Sequence, residues 1–142
     1  MTRAPQPEIG WNVIESDEPG LIDPGPWSQR HSDRFELPAG IPALARTAPA
    51  NQAFTVGRSL GLQFHPELAP SVLDCWLDIG EAQLAARGID VAALLAQTRS
   101  LTGAAARTRE LVRRFIRNVA TARVVAPEEH PIAPETHPDW RP

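Results

Sequence analysis

The hydropathy period of this chain changes once, near residue 70. Before that point the pattern is one of strands and turns. Glu8 to Ile14, EIGWNVI, alternates loosely and is rich in β-formers, which predicts a strand. ESDEPGLIDPGPWSQ, residues 15–29, is loaded with Gly, Pro and Asp and predicts a loop. A short strand is expected near Arg34 to Leu37, closed by Pro38-Ala39-Gly40, and another over Ala43 to Ala48. The clearest β signal is QAFTVGRSLGLQFHPE, where Ala53 to Val56 and Ser59 to Phe64 read as two strands joined by a tight turn at Gly57-Arg58.

After Pro70 the period becomes helical. Val72, Cys75, Trp76, Ile79 and Gln83-Leu84 recur at the spacing of an amphipathic helix. Its candidate N-cap is Ser71, or Ala69 with Pro70 in the first helical position, and Gly88 is its candidate stop. Asp90 then caps a second helix carrying Val91, Leu94, Leu95 and Leu101. A third places Leu111, Val112, Phe115, Ile116 and Val119 on one face. Arg109, Arg113, Arg114 and Arg117 fall on the other, which reads as a solvated face. Strands followed by helices make an α/β chain. A parallel sheet needs crossover helices between its strands, and none is visible before residue 70. Either the sheet is antiparallel here or its parallel part lies outside this chain.

Composition narrows the class. The chain has 142 residues, 42% of them apolar and 22% charged, enough for one domain with a real core. It has no apolar run long enough to span a membrane, and MTRAPQPEIG lacks the apolar stretch of a secretory signal. The single cysteine, Cys75, excludes an internal disulfide framework, and a cytoplasmic location is expected. The net charge of -3 argues against a nucleic-acid surface, although all 14 basic residues are arginine. Residues 125–142 have a proline every few positions and no apolar period, so they are expected to form a disordered tail behind a domain over 1–124. His130 and His137 fall in that tail and read as solvated rather than as metal ligands; no metal or cofactor is expected.

The candidate chemistry sits in GLQFHPEL, Gly61 to Leu68. Residues two apart in a strand share a face, so His65 and Glu67 can meet at a strand end, with Pro66 ending the ladder. A carboxylate bonded to one ring nitrogen fixes the tautomer and leaves the other nitrogen as a base. The same spacing also suits a structural or surface pair.

GLQFHPEL closely resembles the signature at the end of the class I, triad-type glutamine amidotransferase domain. PEIGW (Pro7 to Trp11), HSDRFELPAG and NQAFTVGRSLGLQFHPE resemble its GMP-synthase-like branch, and the Leu111 to Val119 helix suits that branch's closing helix. The resemblance spans about residues 7–120. It implies the C-terminal part of a flavodoxin-like open-sheet α/β domain, with short strands followed by helices. It also implies a reaction: a cysteine thiolate attacks the side-chain amide of glutamine, and the thioester is hydrolysed after ammonia leaves. The resemblance gives His65 the role of general base and acid and Glu67 that of its orienter. His31 and Asp33 match the branch's His-x-Asp segment near the glutamine site, where a surface-loop reading stands beside a pocket role.

The family's nucleophile stands in a Gly-x-Cys-x-Gly elbow, and this sequence has none. Cys75, in VLDCWLD, follows the histidine, has no glycine beside it and reads as a core residue. The glycine-rich oxyanion segment is missing too. The chain is therefore expected to be the C-terminal portion of such a domain, from a misplaced start or a gene broken upstream. It is expected to be inactive alone, to act on glutamine only if completed by an N-terminal half, and to self-associate through uncovered sheet edge. The alternative is a non-catalytic binding module that keeps the scaffold. The ammonia acceptor is not legible.

Overall fold

The computed structural model describes residues 1–69, 72, 73, 76, 80, 82, 84–101 and 103–121. The expectations for Cys75, Ile79 and Gln83, for the 125–142 tail, and for His130 and His137 lie outside the described residues.

Five strands come first: β1 (Thr2–Ser16), β2 (Gly25–Arg34), β3 (Ala43–Arg46), β4 (Asn51–Val56) and β5 (Ser59–Leu62). They form one sheet in the order β2-β1-β3-β4-β5, and every described ladder is antiparallel. This decides the question that the missing crossover helices raise for the part of the sheet seen here. β1 runs well past both ends of the predicted strand. It pairs with β2 from Thr2 to Ile14 across a register irregularity, then hands Glu15 and Ser16 to β3.

β2 corrects the sequence reading. The sequence predicts a loop over residues 15–29 and a strand near Arg34 to Leu37, whereas β2 starts at Gly25 and ends at Arg34. The proline that suggests a loop, Pro26, lies near the start of an edge strand, where a missing N–H donor costs no ladder bond. The β4–β5 hairpin turns at Gly57-Arg58 as expected, with Val56 opposite Ser59. Gly61 faces Phe54 across this hairpin, and a Cβ there would come within 2.4 Å of the Phe54 ring. The glycine therefore makes room for the aromatic ring on its partner strand.

Helices follow the sheet. Residues 72, 73, 76, 80, 82 and 84–86 are α-helical. The first described bonds of this segment run from Val72 N and Leu73 N to Ala69 O, as expected for a cap at Ala69. Its end is a Schellman motif: Ile89 N bonds Leu84 O, Gly88 N bonds Ala85 O, and Gly88 takes a φ of 75°. α1 (Val91–Ser100) is capped by Asp90, whose side chain accepts from Ala93 N at 2.9 Å. α2 (Ala104–Phe115) runs into a π-helical turn over Ile116–Ala120.

The apolar side chains divide into two cores. One joins Ile14, Ile22, Trp27, Ala53 and Phe64 of the sheet and its loops to Leu111, Phe115 and Val119. The other joins Leu68, Leu73, Leu84 and Leu94, with Ile9, Trp11 and Trp76 against them. Each large buried side chain contributes roughly 1.5–3 kcal/mol. The third predicted helix face is split: Leu111 is buried, but Val112 and Ile116 are 48% and 52% exposed. The opposite face is not simply solvated either. Arg114 donates to Glu110, to Asp23 at 2.6 Å and to Pro19 O at 3.1 Å, and so ties α2 to the β1–β2 connection.

Candidate active site

The His-Pro-Glu turn is the passage between the two cores: Phe64 belongs to the first and Leu68 to the second. Packing on both sides therefore fixes the chain immediately before and after it. His65 N donates to Ser28 O of β2 at 2.8 Å, and the two residues form an isolated antiparallel bridge. The Thr108 hydroxyl of α2 donates to Pro66 O. Leu68 N returns to His65 O at 3.4 Å. The sequence places the pair at the end of a strand through Phe64. β5 in fact ends at Leu62, and the pair occupies a turn held by one strand and one helix.

Within that turn His65 Nδ1 lies 2.7 Å from Glu67 Oε1. The two side chains are 33% and 56% exposed, so the pair is open to solvent and to a ligand. Glu67 is an acceptor, which assigns the Nδ1 proton to the bond between them. Nε2 is then the unprotonated nitrogen, and it has no partner among the described residues. Trp76 stands edge-on to the imidazole with ring centroids 5.1 Å apart, and limits how the ring can turn. A base with its tautomer fixed and its second nitrogen open can take a proton from a nucleophile placed beside it.

His31 and Asp33 are both on β2, and neither hydrogen-bonds to this pair. The His31 side chain is only 8% exposed. It belongs to a buried polar cluster that crosses the sheet. Glu8 Oε2 accepts from Thr47 Oγ1 and Gln52 Nε2, each at 2.9 Å, and lies 3.5 Å from His31 Nε2. His31 Nδ1 is 3.1 Å from Asp33 O, and Nε2 is 2.9 Å from Gln29 Oε1, while Gln29 Nε2 is buried without a partner. Turning the Gln29 amide over lets Gln29 Nε2 donate to a neutral His31 ring that donates from Nδ1 to Asp33 O. Burial pushes the His31 pKa down, against the opposing pull of Glu8, which agrees with a neutral ring. The Asp33 side chain is half exposed and lies 3.8 Å from Arg3.

The sign of that shift gives a stability expectation. Below 6.5 the unfolded chain protonates His31 before the folded one does, so stability falls with pH from there until the lowered folded value is passed. Denaturant melts of wild type and His31→Gln between pH 8 and pH 5 check this: the wild-type midpoint should drop more than the variant's.

The cluster reaches the candidate pair through the backbone. Gln52 O accepts from Gln63 N at 2.8 Å, and Asp33 O accepts from Gln63 Nε2 at 3.4 Å, two residues before His65. Glu8, Thr47 and Gln52 escape a motif search because each looks like an ordinary strand or loop residue. Ser28, Trp76 and Thr108 escape it too, since they act through a carbonyl, a ring edge and a hydroxyl on three separate elements. A polar side chain on a strand that is otherwise read as core, as with Gln52 between Asn51 and Ala53, is the one local cue.

Among the described residues no group of three or more His, Cys, Asp and Glu side chains could hold a metal ion, and no helix is long and apolar enough to cross a membrane. No protein-family model and no curated protein matches the chain. Solved structures do. The chain is similar to a glutamine amidotransferase from Thermotoga maritima, at 25% identity and a TM-score of 0.71, over 85% of this chain and 54% of that one. It is also similar to a glutamine amido transferase from Methylobacillus flagellatus, at 18% identity and a TM-score of 0.71, over 91% of this chain and 58% of that one. The chain thus spans little more than half the length of either protein. Over that span its fold, an antiparallel sheet followed by helices, is the fold of those glutamine amidotransferases.

Proposed function

We propose that this chain carries the base half of a Cys–His–Glu site that hydrolyses the side-chain amide of glutamine to glutamate and ammonia. The observation that carries the reading is the 2.7 Å His65–Glu67 pair with Nε2 open, on a fold shared with two glutamine amidotransferases. In this reading His65 Nε2 takes the proton of a cysteine thiol, and the thiolate adds to the amide carbon. The tetrahedral adduct collapses as His65 returns the proton to the departing nitrogen, which leaves as ammonia. His65 then deprotonates water, which adds to the thioester, and the thiol is released with glutamate. Glu67 holds Nδ1–H throughout and stabilises the imidazolium. Glutamine is the substrate, and His31 and Asp33 belong to the substrate side of the cleft. The matches PEIGW, HSDRFELPAG and GLQFHPEL favour the GMP-synthase-like branch.

The sequence supplies no Gly-x-Cys-x-Gly elbow, so this chain alone should not catalyse the reaction. The test is ammonia release from glutamine by the chain alone and by the chain mixed or fused with a polypeptide bearing that elbow. Activity only in the mixture is expected. Activity of the chain alone that survives Cys75→Ser would overturn the reading.

A further inference from the structure

A cavity of about 200 Å³ opens between the β1–β2 strands and the helical segment that follows the sheet. Arg30, His31 and Ser32 of β2 line one part of it and Arg87 another, with Ile9 and Leu84 as apolar lining. Its charge is one-sided, since no carboxylate contributes to the described lining.

The two arginines differ from five others among the described residues. Arg46 pairs with Asp17, Arg114 with Asp23 and Glu110, Arg3 with Asp33, Arg34 with Glu36, and Arg113 with Glu110. Arg30 and Arg87 have neither an ion pair nor a hydrogen bond among the described residues, in a chain with 17 acidic residues against 14 basic ones. The Ser32 hydroxyl also has no described partner.

Arg30 is nevertheless held in place. Its guanidinium carbon lies 4.9 Å from the Trp76 ring centroid, stacked as a cation on the indole face. A Cβ on Gly80 would come 3.3 Å from Arg30 Nη2, so the glycine leaves room for the guanidinium. A stacked, positioned guanidinium with its donors open is preorganised for a planar or tetrahedral oxyanion, and a second guanidinium across the same cavity adds charge complementarity.

We propose that Arg30, Arg87 and Ser32 form a binding subsite for a small oxyanion, the carboxylate or phosphate group of a metabolite that fits this cavity. His31 lines the same cavity, so a glutamate response rests on the glutaminase reading and deepens it, whereas a phosphate response stands apart from it. Trp76 contacts both Arg30 and His65, so an anion bound here lies one indole away from the candidate base and should be felt there.

The test is an NMR titration of the ¹⁵N-labelled chain with glutamate, with inorganic phosphate, and with sodium chloride at matched ionic strength. Saturable shifts of the Trp76 indole N–H and the Arg30 Nε–H signals are expected with glutamate, phosphate or both, and the responding arm identifies the group bound. Arg87→Gln should weaken that binding roughly tenfold and Arg30→Gln at least as much, by loss of a charge-assisted bond. Arg113→Gln, which alters an arginine paired elsewhere, should leave it unchanged. Shifts that chloride reproduces, shifts unaffected by both cavity variants, or no shift with either anion would overturn the proposal. If Arg30→Gln disturbs the fold, Arg87→Gln alone decides, since Arg87 is exposed on the turn after the helix.

Discussion

In an enzyme completed with a cysteine elbow, His65→Ala is expected to lower glutamine hydrolysis by about 10²–10⁴-fold or more, with a smaller effect on KM. The reason is geometric. Nε2 is the only ring nitrogen left open once Nδ1 is bonded to Glu67 at 2.7 Å, so removing the ring removes the proton acceptor for the thiol and the donor for the leaving ammonia. Glu67→Gln should cost less, because an amide still fills the same space. It would release the preferred tautomer and remove the carboxylate that stabilises the imidazolium. Steady-state ammonia release from the two variants and wild type, with fold checked by circular dichroism, decides the point. Equal activity of His65→Ala and wild type would leave the pair without a chemical role and favour a binding module that merely keeps the scaffold.

The second large effect falls on stability. Glu8→Ala is expected to destabilise the fold by about 1–3 kcal/mol, the range for buried polar groups that lose a partner. Glu8 is 7% exposed and its Oε2 accepts two bonds of 2.9 Å, so truncation removes the acceptor shared by Thr47 and Gln52 and leaves them only the weaker bonds from Thr47 Oγ1 to Ala50 O and from Gln52 Nε2 to Thr47 Oγ1. Gln52 is fully buried and its Oε1 already lacks a partner, so its amide is left with one bond, to Thr47 Oγ1. Glu8→Gln keeps the volume and one acceptor and should cost less than the alanine. Urea denaturation midpoints at unchanged m-value measure both. A Glu8→Ala loss under about 1 kcal/mol, the value of an ordinary hydrogen bond, would mean that water replaces the carboxylate.

The sequence makes the β4–β5 hairpin, the helical period after residue 70, the Asp90 cap and the Gly88 stop legible because each is a local event. Alternation, turn chemistry and capping are written within a few neighbouring residues. β2 is not legible, since its strand character comes from lying against β1, while its own Pro26 and Gly25 suggest a loop. The half-exposed face of α2 is also hidden, because its apolar residues are needed at Leu111 and Phe115 but not at Val112 and Ile116. The candidate site divides in the same way. His65 and Glu67 are two residues apart and can be read from spacing. The groups that hold them cannot: Ser28 and Thr108 come from positions far along the chain and contribute only a carbonyl and a hydroxyl. The buried His31 looks like an exposed loop histidine until Glu8, from another strand, is placed beside it.

The turn between the two cores has a kinetic consequence. β3–β4 and β4–β5 pair strands close in sequence, so their closure costs little chain entropy. The bridge from Ser28 to His65 closes a much longer loop, and the Thr108 to Pro66 bond spans 42 residues. Contacts of that separation form late and open early. The candidate base is thus assembled only when β2 and α2 have both met the turn. In hydrogen exchange the His65 amide should open at lower free energy than Thr55 or Leu60 in the hairpin. Equal protection at all three would mean instead that the site opens only with the whole fold.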